Sequence, residues 1–145
     1  MGWLQTFERM RDDLVKTAKQ YNNQQTKEAV MIACGLMAAA DGRVDQTEKE
    51  KVLKLIRTSE ALQVFPAADL GRLFNQYVDE AGDEFARLDL LAKVGKLRSK
   101  PDAARWVMAV AMTIARADGT IDPTEVVVAR ELADALGLNA DDYVK

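Results

Sequence analysis

The sequence predicts an all-α fold, a single-domain helical bundle of about seven helices over residues 1–145, containing an internal duplicated helix, Asp-Gly turn, helix unit. Three observations carry that expectation. Apolar residues recur at three- and four-residue spacing along the chain and nowhere alternate as in a half-buried strand. The stretch Ala38-Ala39-Ala40-Asp41-Gly42-Arg43-Val44-Asp45-Gln46-Thr47-Glu48 returns as Ala115-Arg116-Ala117-Asp118-Gly119-Thr120-Ile121-Asp122-Pro123-Thr124-Glu125, every matched pair 77 positions apart. Finally, 145 residues with 30% charged, eight Gly and three Pro suit one ordered domain, long enough to bury a core without disulfide or metal staples.

Taken in order, the first helix places Trp3, Leu4, Phe7, Met10, Leu14, Val15 and Tyr21 near one stripe. Arg9, Arg11, Asp12, Asp13 and Lys16 lie elsewhere, and this mixture of signs favours packing on the chain's own domain over a membrane surface. After the polar break Tyr21–Gln25, Thr26 and Glu28 open a second helix, which is uncharged from Ala29 to Ala40 and so reads as the core helix. The third, Gln46 to about Thr58, points Val52, Leu55 and Ile56 inward; Lys51, Lys54 and Arg57 complement the dipole at its end. A short turn capped by Ser59 stops at Pro66.

The fourth helix, about Ala67 to Glu80, turns Leu70, Leu73, Phe74 and Tyr77 to one face and ends at Gly82. The fifth, Asp83 to Arg98, is expected to bury Phe85, Leu88, Leu91, Val94 and Leu97. Ser99 and Pro101 start the sixth, reaching Ala117, as repeat partner of the second; the two repeat units span about 26–58 and 101–136. Pro123 to Leu136 forms the seventh, stopped by Gly137, and Asn139 caps a last turn over 140–144.

Each Asp-Gly turn carries three carboxylates: Asp41, Asp45 and Glu48 in the first, Asp118, Asp122 and Glu125 in the second. Helix capping accounts for four of them. In Asp45-x-x-Glu48 and Asp122-x-x-Glu125 the Asp accepts from first-turn backbone amides and the Glu reaches back to the cap amide, with Pro123 suited to a first helical position. Asp41 and Asp118 instead follow a helix C-terminus, where the dipole disfavours negative charge. Local Asp-Gly turn chemistry is one cause for them; a hard divalent cation, Ca²⁺ or Mg²⁺, drawing several oxygens together is the other. Both readings stand at this level, and all six acids are candidate metal ligands.

The chain has no histidine, which removes the usual general base and the usual zinc ligand, so any metal would be held by oxygen. The lone Cys34, inside an apolar run, reads as a small core residue. With neither a phosphate-cradling Gly loop nor a Gly-x-Ser-x-Gly elbow, nothing in the sequence points to an enzyme. A net charge of −3 gives no global attraction to nucleic acid, and the helix after each turn opens with acids where a DNA reader would meet phosphate. Charged residues follow Met1–Leu4 too closely for a signal peptide, and Ala29–Ala40 is too short to span a bilayer. The expectation is a cytoplasmic protein without direct membrane insertion. One mismatch between the repeats stands out: Lys49, Glu50 and Lys51 correspond to Val126, Val127 and Val128, so Val126 and Val127 are candidate partner-binding residues unless another helix covers them.

The two Asp-Gly turns, the segment Arg57-Thr58-Ser59-Glu60-Ala61-Leu62-Gln63-Val64-Phe65, Leu73-Phe74-Asn75 and the ending Arg130-Glu131-Leu132-Ala133-Asp134-Ala135-Leu136-Gly137 together resemble the TerB-like family of tellurite-resistance proteins. The resemblance runs from about Met1 to the C-terminus. It implies an all-helical, cytoplasmic, non-enzymatic module of tellurite and stress resistance, recruited to the inner membrane by partners: a TerC-type membrane protein and Ca²⁺-binding TerD-type proteins. It also implies metal chelation or sensing by acidic turns, a role that falls by position on Asp41, Asp45, Glu48, Asp118, Asp122 and Glu125. Val126-Val127-Val128 departs from the more charged family pattern. Oligomeric state is not implied.

Overall fold

A computed structural model describes residues 12–42, 44–117 and 119–144, and among these every regular element is helical. Residues 12–17 are α-helical and pass into a 3₁₀ turn, Ala18–Tyr21. The main helices are α1 (Gln24–Ala38), α2 (Gln46–Thr58), α3 (Ala67–Ala81), α4 (Glu84–Gly95), α5 (Pro101–Ala115) and α6 (Pro123–Leu136). Short 3₁₀ segments, Glu60–Val64, Lys96–Ser99 and Ala140–Asp142, complete the list of described elements. The expected Trp3, Leu4, Phe7 and Met10 stripe lies outside the described residues.

The uncharged second helix of the sequence is α1, and it is the axis of the bundle. Ala29 through Met37 are all buried, and α3, α5, α4 and α6 each pack against it. An α-helix apolar on every side has no stable place except among other helices. It lies tight against α3 at Gly35, where a built Cβ would be 2.9 Å from Tyr77 Cβ and 3.2–3.3 Å from the adjoining backbone. α5 repeats the pattern, with Ala103, Ala104 and Trp106 to Met112 buried. Trp106 ties the start of the described chain to this centre, since its indole N–H donates to the Leu14 carbonyl at 3.1 Å while Tyr21 and Phe65 pack their rings beside it.

The helix starts mostly follow local chemistry, with three differences. α1 begins earlier than Thr26, because Asn23 supplies the cap and accepts from the Thr26 amide at 2.9 Å. Ser59 occupies the cap position of the 3₁₀ segment, but its side chain makes no capping bond. Ser99 ends a 3₁₀ turn and Lys100 precedes α5, where Pro101 holds the first position. Gly137 does end α6 in the left-handed conformation, φ 73°, with the Leu138 amide bonded to the Ala133 carbonyl.

The fifth predicted helix buries its second half as expected but not its first. Phe85 and Leu88 are 81% and 58% exposed, whereas Leu90, Val94 and Leu97 are buried and Leu91 is half-buried. The segment carries two apolar stripes at helical spacing, and Arg87 decides between them. Its guanidinium reaches both Glu131 carboxylate oxygens of α6, at 3.0 and 2.5 Å, which points the 87-90-94-97 side inward.

Candidate functional site

The two Asp-Gly turns repeat each other bond for bond. After α1 the Ala39 amide bonds Gly35 O, Ala40 bonds Met37 O and Gly42 bonds Ala39 O; after α5 the same links join Arg116 to Met112, Ala117 to Ile114 and Gly119 to Arg116. Gly42 and Gly119 have φ of 77° and 100° with no atom within 4 Å of a built Cβ, so backbone conformation rather than lack of space requires glycine there. From each turn the chain extends into an Asp N-cap of the same conformation, Asp45 (φ −77°, ψ 168°) and Asp122 (φ −80°, ψ 166°).

The caps themselves differ. Asp45 accepts from the Glu48 amide at 2.8 Å. Asp122 accepts from the Glu125 amide at 2.9 Å and from the Thr124 hydroxyl at 2.5 Å, and Glu125 returns the bond by accepting from the Asp122 amide at 3.2 Å. The reciprocal box expected at both turns is thus complete at the second. The Thr124 hydroxyl bond first, then the Glu125 amide, hold the Asp122 carboxyl below the usual carboxylate range.

The turns meet. Asp41 and Glu48 from the first and Asp122 and Glu125 from the second line one cleft of about 220 Å³, walled by Cys34 and Met37 of α1, Lys51 and Val52 of α2, and Ala111 and Ile114 of α5. Asp41, Glu48 and Asp122 are exposed and Glu125 is half-buried. Asp45 is exposed outside the cleft lining, and Asp118 lies outside the described residues. Two residues join the site that the Asp-Gly pattern alone does not supply. Lys51 sets a cation among the acids, three positions after Glu48 and so on the same helix face, a signal present in the sequence. Burial pushes the Cys34 thiol up to about 12, so it is a neutral wall group.

Carboxylates lining a cleft are the donor chemistry of a hard cation site. Against that, among the described residues no three carboxylate or thiol groups converge closely enough to hold a metal ion. At the candidate partner face, Val128 is buried, Val126 is half-buried against the core and Val127 is 59% exposed. Among the described residues no helix is long and apolar enough to cross a membrane.

Comparison with known proteins places this architecture. The family model described as tellurite resistance protein TerB matches residues 27–145, which includes both turns, α1 from Lys27 onward and all of α2 to α6. A tellurium resistance protein TerB from Alcaligenes sp is 26% identical over 102 residues, covering 69% of this chain and 84% of the relative. No solved structure matches. With the family pattern running through both acidic turns to the last residue, the chain belongs to the TerB family of tellurite resistance proteins.

Proposed function

We propose that this chain acts non-enzymatically in tellurite and stress resistance, as an interaction module whose acidic cleft takes up Ca²⁺ or Mg²⁺. The observation that carries this reading is that Asp41 and Glu48 line one cleft with Asp122 and Glu125, from turns far apart in sequence. Carboxylates that share a cleft favour a cation beside them, and Lys51 lines the same cleft. A bound divalent ion would add positive charge to the cleft, with Glu48 among its ligands, while Asp122 is engaged by Thr124 and Glu125. Such uptake would alter the surface offered to other resistance proteins, of TerD type and, at the inner membrane, of TerC type. The exposed Val127 beside the second turn is a candidate contact for them.

Calorimetric titration with Ca²⁺ and with Mg²⁺, alongside backbone amide shifts, tests the cleft. The expected result is saturable binding with shifts centred on residues 41–48 and 122–125, lost in Asp41→Asn with Glu48→Gln. Absence of binding at millimolar metal would remove the cation. A second reading then takes over, favoured by the cap bonds of Asp45 and Asp122 and by the lack of a three-ligand cluster among the described residues: a protein–protein adaptor whose acids only hold helix ends.

A further inference from the structure

We propose that the outward face of α4 binds a second copy of this chain, in an antiparallel pair about a two-fold axis. Phe85 and Leu88, one helical turn apart, are large apolar side chains left 81% and 58% exposed, and Ala92 continues the exposed face a turn further on. The charge on either side of this strip is segregated. Asp79, Glu80, Asp83 and Glu84 precede it; Lys93, Lys96, Arg98 and Lys100 follow it. All are exposed except the half-buried Glu80, and among the described residues Glu84, Lys93 and Lys96 make no ion pair within the chain.

The sign of this pattern reverses about a centre. Glu84 and Lys93 are equidistant from the midpoint between Leu88 and Asp89, and so are Phe85 and Ala92. At 1.5 Å per residue the two charged blocks begin about 7 Å to either side of that point. A second α4 running antiparallel therefore brings its Lys93 to the first copy's Glu84, and its Glu84 to the first copy's Lys93. A parallel pairing would set like charge on like. This self-complementarity is what an isologous contact requires, and the chain supplies its own partner. Next to Ala92, a surface hollow of about 470 Å³ bordered by Glu80, Asp89, Lys93 and Lys96 offers the partner's Phe85 a seat.

The seam is one helix of twelve residues. It falls short of the roughly 800 Å² per partner of a standard interface, so the pair is weak and reversible. Asp89, near the axis, approaches its own copy and weakens it further.

Sedimentation of the whole chain from about 10 μM to about 1 mM at low salt tests this, a range suited to a small interface. The expected result is an average mass rising from 16.1 kDa toward twice that value. Phe85→Ser with Leu88→Ser abolishes the rise, and Asp89→Asn strengthens it. Two charge variants, Glu80→Lys with Glu84→Lys and Lys93→Glu with Lys96→Glu, each associate about tenfold less alone, yet form a one-to-one pair when mixed. Circular dichroism verifies that each variant is folded; should either charge variant fail to fold, the exposed Phe85 and Leu88 changes and Asp89→Asn decide alone. A wild-type chain monomeric at the highest concentration, or self-association indifferent to Phe85, Leu88 and Asp89, overturns the proposal.

Discussion

Gly35→Ala is the substitution on which the packing of the bundle is most directly tested. The added methyl would sit 2.9 Å from Tyr77 Cβ and 3.2 and 3.3 Å from the backbone of Tyr77 and Val78. None of these atoms can rotate away, so α1 and α3 must move apart along their whole contact. Overpacking of this kind costs about 1–3 kcal/mol, and a clash against backbone belongs in the upper part of that range. Ala in place of a helical Gly returns up to about 1 kcal/mol. The net expectation is a loss of about 1–2 kcal/mol, which for a chain of this length lowers Tm by about 3–8 °C. Gly95→Ala is the matched control: its Cβ would meet only the Ala135 carbonyl at an ordinary 3.4 Å, so the propensity gain remains and stability holds or rises slightly. Thermal unfolding and urea titration of both variants read the difference. Equal stability of the two would refute the close α1–α3 approach.

The two caps should not be equivalent. Asp45→Ala and Asp122→Ala each cost about 1 kcal/mol in urea unfolding, with Asp122 the costlier because its reciprocal box and Thr124 bond are lost with it. The depressed Asp122 pKa adds a signed pH effect: its contribution is present above the unfolded-state carboxyl pKa and is lost as pH falls through the lower folded value, so Asp122→Asn flattens the acid limb of stability measured against pH. The Arg87–Glu131 pair, bidentate and about a quarter to a third exposed, should couple by about 0.5–1 kcal/mol in a double-mutant cycle with Arg87→Met and Glu131→Gln, and a zero coupling energy would show that it does not set the facing of α4.

The family and the all-helical class were both legible from the chain, and so was the place of most elements. The reason is local. An uncharged run such as Ala29–Ala40 has one stable setting, and Asp-Gly followed by Asp-x-x-Glu fixes a turn and the next helix start with short-range bonds alone. α4 was legible only in its second half: Val94 and Leu97 are buried as expected, but at its start Phe85-Leu88 competes with Arg87-Leu90 for the inward side. The choice between them rests on Glu131, a residue 44 positions beyond Arg87. The acidic cleft lay between these cases. Its carboxylates could be named from the repeat, but that Asp41 and Glu48 share a cleft with Asp122 and Glu125 depends on how α1 and α5 pack, which no local pattern contains.

The repeated units look modular, yet the position of α1 denies them independence. Its flanks are closed by α3 on one side and by α5 on another, and the anchor from Trp106 to Leu14 bridges 92 residues. While the chain is being synthesised, the flank of α1 that α5 covers must wait unshielded until the second unit emerges, a delay set by long-range closure rather than by helix formation. Denaturation should therefore proceed as one cooperative event, and a fragment ending before α5 is expected to aggregate rather than persist as half a protein.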